Sequence, residues 1–175
     1  MSCQPALDES HTAGGLSFRF CHPSGLGLLS LQTPKLKNFL PDVNVWVALF
    51  SAQHVHNEAA VSWISEVRDQ SVAVCRIAQM GVLRLLTNEH VMGVDVVPQA
   101  KAWELYDELM SDPRFYFLAE PDNLEDEWRP LTRQRRAGHS AWTDAYLAAF
   151  AKTAGLRLVT FDKQLKELAA DAILL

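Results

Sequence analysis

From residue 36 onward the apolar positions fall into short runs that alternate with longer helical stripes. The first run, "LKNFLP" (36–41), reads as a short strand that ends at Pro41, because proline has no N–H to give to a ladder. "VNVWVALF" then starts a helix. Within 56–68 the residues Ala59, Ala60, Trp63, Ile64 and Val67 form one helical stripe. A β-rich run follows at 71–75 and a helix at 77–88. A further helix is expected over 98–110, with Pro98 suited to its first turn. "RFYFL" (114–118) reads as a strand and 124–133 as a short helix. Ser140 as N-cap and Gly155 as stop bracket the next helix. "LRLVTF" is a buried strand, "DKQLKELAA" a helix and "AILL" a last strand. This alternation predicts an α/β fold, a central parallel sheet flanked by helices on both faces.

Residues 1–35 break the pattern. They show neither period and hold four of the eight glycines together with Pro5, Pro23 and Pro34. The expectation is a poorly ordered N-terminal extension, followed by one domain over 36–175. The extension is either a genuine tail or the product of a start codon placed too far upstream.

Composition narrows the picture. Hydrophobic residues make up 49% of the 175, enough for a core and too many for a disordered chain. The net charge of -5 disfavours a partner bound through bulk positive charge, so nucleic acid would need a local basic patch or metal ions. Cys3, Cys21 and Cys75 form no CxxC pair, which argues against a disulfide framework or zinc ribbon. No signal peptide and no apolar run of about 18 residues is present, so a cytoplasmic protein without membrane contact is expected.

Against this background the acids stand out. In parallel sheets function gathers at the carboxyl ends of strands. Asp42 follows the first strand, Asp162 follows "LRLVTF", and Asp144 lies early in the helix before that strand. Each acid alone reads as a helix cap. Together they repel one another unless a cation sits among them, and magnesium or manganese favours such oxygen ligands.

The contexts "FLPDVNVWVALF", "QHVHNEAAVSWI", "RIAQMGVLRLLTN" and "AWTDAYLAAFAKTAGLRLVTFD" resemble, in order and spacing, the PIN-domain nucleases of the VapC toxin type. The resemblance runs from about residue 36 to the C-terminus. It implies a PIN-like fold, a Mg2+-dependent endoribonuclease (with Mn2+ as the other ion), an RNA substrate, a cognate antitoxin and a homodimer. It further implies Asp42 and Asp144 as the main metal ligands, with Asp162 completing the site partly through water. Asn44 would orient Asp42, and Thr143 and Thr160 would act as donors beside the acids. The family often has Glu where this chain has Gln79, an amide that brings no charge. One held ion, with a second arriving with the RNA phosphate, is the arrangement expected from that difference.

Other constellations rank lower. Arg133, Arg135 and Arg136 are candidates for RNA phosphate contact, and Arg76 and Arg84 for antitoxin carboxylates. His54 and His56 lack the partners of a zinc site. His139 reads as a loop residue, and the five tryptophans as core or dimer packing. Two rivals remain. One is a catalytically impaired PIN-like module that binds antitoxin or RNA without cleavage, supported by Gln79. The other is an aspartyl phosphotransferase of the haloacid-dehalogenase type, which Asn44 disfavours because it stands where that chemistry needs a second Asp.

Overall fold

The computed structural model describes residues 38–133 and 141–175. The expected extension, Arg135, Arg136, His139 and the expected cap Ser140 lie outside the described residues.

Five strands, β1 (Phe39–Pro41), β2 (Val72–Val74), β3 (Phe115–Phe117), β4 (Arg157–Thr160) and β5 (Ile173–Leu174), form one sheet in the order β3-β2-β1-β4-β5. All its pairs are parallel. β1 and β2 carry short apolar runs that are buried almost throughout, as expected of strands covered on both faces. Pro41 sits in the central strand, a place proline usually avoids. It is tolerated because it comes last, and the ladder passes to Asp42, whose N–H donates to the Val159 carbonyl at 2.9 Å.

The chain runs outward from β1 through β2 to β3, returns to β4 beside β1, and runs outward again to β5. Parallel crossovers are right-handed, so the two outward runs place their helices on opposite faces. One layer holds α1 (Val43–Phe50), α2 (Asn57–Ser65), α3 (Arg76–Leu86), α4 (Glu89–Met92) and α5 (Gln99–Met110). The other holds α6 (Leu124–Arg133), α7 (Ala141–Ala154) and α8 (Lys163–Leu168). Leu40, Trp46, Phe150 and Leu158 fill the core between them, with Trp46 meeting Phe115 edge-on at 5.4 Å.

Three local features depart from the periodicity. α2 stops at Ser65, short of the expected 68, and the buried Arg114 donates to the Ile64 carbonyl at 2.8 Å near that end. α4 and the 3-10 turn Gly93–Asp95 were not expected, being too short to show a stripe. Trp103 and Trp142 are exposed rather than packed in the core.

Gly81 sets the spacing of the first layer. A Cβ there would stand 2.6 Å from Val43 Cγ2, so α3 crosses very close to the start of α1. That approach ties the helix carrying Gln79 to the helix that Asp42 caps.

Candidate active site

β1 and β4, the strands between which the chain reverses, end side by side. The crevice beyond the carboxyl ends of such strands is where open α/β sheets bind ligands. Asp42 follows β1, Thr160 ends β4, and Asp162 comes two residues later.

Asp42 is only 3% exposed. It caps α1 by accepting the Val45 N–H at 2.9 Å, and its other oxygen accepts the hydroxyl of the fully buried Thr160. The backbone N–H of Asn44 also bonds to it. Thr160 Oγ1 in turn accepts the Asp162 N–H at 2.9 Å. Asp162 caps α8 through the Gln164 N–H at 2.7 Å. One buried hydroxyl therefore bonds both the Asp42 carboxylate and the Asp162 main chain. Burial pushes the Asp42 carboxyl above its ordinary range. The bonds from Thr160, Val45 and Asn44 pull it back, and the Asp162 charge adds to the rise.

Asp144 is half-buried in the first turn of α7, the helix that packs on β1 and β4, where the positive end of the helix dipole favours its charge. Thr143 beside it is exposed. Asn44 is exposed in the first turn of α1 and gives Asp42 its backbone N–H. Gln79 is buried and engaged elsewhere: its Oε1 accepts from Arg76 Nη1, and its side chain bonds to the Tyr106 hydroxyl. The Arg76 guanidinium lies 4.6 Å over the Phe117 ring. Arg133 is exposed at the end of α6.

The carboxylates of Asp42 and Asp162 and the Thr160 hydroxyl between them offer oxygen, the chemistry of a hard cation. The Asp42 carboxylate accepts three bonds and has about four acceptor positions, so one remains for an ion. A desolvated carboxylate beside a second one is relieved by positive charge. Among the described residues no three His, Cys, Asp or Glu side chains gather closely enough to hold one ion. The residues present fit an ion bound through one or two carboxylates and completed by water and substrate, a common magnesium arrangement.

Glu120 is a rim acid that the sequence reading missed. It lies three residues beyond β3 and accepts the Tyr146 hydroxyl at 2.8 Å. Burial, then this bond, holds the Tyr146 hydroxyl protonated well above its ordinary range. The available signal was positional: an acid just past "FYFL", opposite the Tyr of "TDAY".

The fold and this rim define a class. Residues 39–171 match the PIN domain family. Ribonuclease VapC41 of Mycobacterium tuberculosis is 41% identical over 128 residues, covering 70% of this chain and 88% of that protein. PAE2754 from Pyrobaculum aerophilum shares the fold with a TM-score of 0.54 and 25% identity, over 79% of this chain and 90% of that one. A chain of a toxin-antitoxin complex from Klebsiella pneumoniae does so with a TM-score of 0.51 and 18% identity, over 74% and 90%. The chain thus belongs to the PIN-domain family, in its VapC-type ribonuclease branch. No helix among the described residues is long and apolar enough to cross a membrane.

Proposed function

We propose that this protein is the toxin of a toxin-antitoxin pair and an endoribonuclease that hydrolyses RNA phosphodiester bonds with Mg2+, or Mn2+ in its place. The reading rests on one observation above all, the buried Asp42 joined to Asp162 through Thr160 at the β1/β4 crevice. A bound divalent ion supplies Lewis acidity at the phosphoryl group and hydroxide at neutral pH. Asp42 and Asp144 would hold it, and Asp162 would complete the site partly through water. Thr160 holds the Asp42 carboxylate through its hydroxyl and would orient it toward such an ion. Arg133, Arg135 and Arg136 contact the RNA backbone.

The VapC relationship and the fold shared with a toxin-antitoxin complex support a cognate antitoxin as partner. Exposed Met80, Val91, Val94 and Trp103 on α3 to α5 offer apolar surface for a homodimer or for that antitoxin. We assign the functional domain to 36–175 and the working compartment to the cytoplasm.

The test is cleavage of labelled RNA by the full chain with magnesium and with a chelator. Asp42→Asn and Asp144→Asn should each slow cutting at least about 100-fold, since loss even of groups behind a metal ligand costs about 10–100-fold. Parental rates in both variants would refute the site. A parent that binds antitoxin but cuts no RNA would favour the impaired-module reading.

A further inference from the structure

At Asp162 the surface opens into a recess of about 340 Å³ lined by Asn44, His54, Val55, His56, Phe161 and Asp162. We propose that this recess is a nucleotide subsite, in which an unpaired RNA base next to the scissile phosphate stacks on His56 while Asn44 and His54 read its edge. The inference rests on the ribonuclease reading above and names how that site takes its substrate.

The His56 ring already stacks on Phe161, with centroids 4.2 Å apart and planes within 14°. One face of the imidazole is therefore covered, yet the residue is exposed and lines the recess, with the His54 ring 5.7 Å away and tilted by 47°. Phe161 lies between Thr160 and Asp162, which fixes this platform to the acidic rim rather than to a free loop. Val55, 85% exposed, is an apolar side chain left in water beside the platform. A flat apolar ligand with a polar edge would cover both. Base stacking on aromatic rings with hydrogen bonds to base edges is how proteins bind single-stranded RNA.

The polar groups suit that ligand. His54 Nδ1 accepts the His56 backbone N–H at 3.2 Å, so a neutral His54 carries its proton on Nε2 and can donate. Burial, then the neighbouring His56, lowers the His54 pKa and keeps the ring neutral. Asn44 offers both a donor and an acceptor from the helix that Asp42 caps.

The experiment uses a short single-stranded RNA with 2-aminopurine at one position, whose fluorescence is quenched on stacking. It is titrated with the full chain carrying Asp144→Asn, and with the same chain also carrying His56→Ala or His56→Phe. Quenching is expected with His56 and with Phe, and binding about tenfold weaker with Ala. In the otherwise unaltered enzyme, His56→Ala should raise KM about tenfold with little change in kcat, and His56→Phe should restore it. Thermal melts establish that the variants fold, and His56 being exposed at a helix cap favours this. Equal quenching by His56 and Ala chains, or none by either, overturns the subsite even if the RNA is cut. Quenching lost only with Ala, in a protein that cuts no RNA, keeps the subsite and rejects the nuclease reading.

Discussion

Two buried polar side chains sit at the carboxyl ends of neighbouring strands, and they are handled in opposite ways. Asp42, after β1, is a carboxylate held by a hydroxyl and two backbone N–H groups. Gln79, early in the helix after β2, is an amide held by the Arg76 guanidinium and the Tyr106 hydroxyl. Neutral donors around Asp42 leave its charge uncompensated and available to a cation. A cation already faces Gln79, and the side chain it faces has no charge to neutralise. The difference divides the rim into a half whose carboxylate is held by neutral donors and a half whose polar demands are met internally.

Short of replacing an acid itself, the largest expected effect comes from stripping the Asp42 half of its donor. Thr160→Val keeps the shape and removes the hydroxyl, leaving one Asp42 oxygen without its side-chain partner. Cleavage should fall about 10–100-fold, the usual cost of removing a group that orients a metal ligand. Saturating magnesium should restore part of the loss if orientation of the ligand is what was lost. A rate within twofold of the parent, measured on the same RNA, would show that the hydroxyl does not set the carboxylate.

A smaller effect is expected from charging the other half. In Gln79→Glu the new carboxylate faces Arg76, which should pair with it before any ion does. Affinity for Mn2+, read by calorimetry, should rise by less than about fivefold, because a partly screened pair shifts the balance by about 1 kcal/mol or less. A gain well above tenfold would mean that Arg76 swings away and that the rim acts as one acidic bowl.

How legible all this was differs between the halves. Asp42 and Asp162 could be found because each ends an apolar run, and a polar residue at that boundary is conspicuous. Their connection through Thr160 could not be read, since it joins residues 118 positions apart across parallel strands. Asn44 was expected to orient Asp42, and its backbone N–H bonds to that carboxylate; a contact from the main chain leaves no trace in residue type. Gln79 was visible as a substitution, but its partners were not, because Tyr106 comes from a distant helix. Glu120 lay in a polar stretch with no periodicity to mark it. The strands and long helices followed the apolar pattern closely, whereas α4 and the early end of α2 depend on capping and on Arg114, which periodicity does not report.

The smallest expected effect is on stability, and its sign distinguishes the two halves again. The Asp42 pKa is raised in the folded protein, chiefly by burial, from an ordinary value of 3.8. Over the interval from 3.8 up to that raised value the native state therefore binds more protons than the unfolded chain. Stability then falls as pH rises through this interval, because the slope follows the difference in bound protons. Asp42→Asn removes the titration while keeping an acceptor for the Val45 N–H. Without metal, its Tm should exceed that of the parent at pH 7, and the gap should shrink as the pH is lowered toward 4. Adding magnesium should reverse the order at pH 7, because the ion binds the folded parent and stabilises it by mass action. Gln79→Glu at pH 7 should show no comparable magnesium-dependent crossing, since Arg76 compensates its charge. A parent more stable than Asp42→Asn in the presence of chelator at pH 7 would mean that Thr160 and the backbone donors outweigh burial, and the proposed tension at the β1/β4 crevice would be gone.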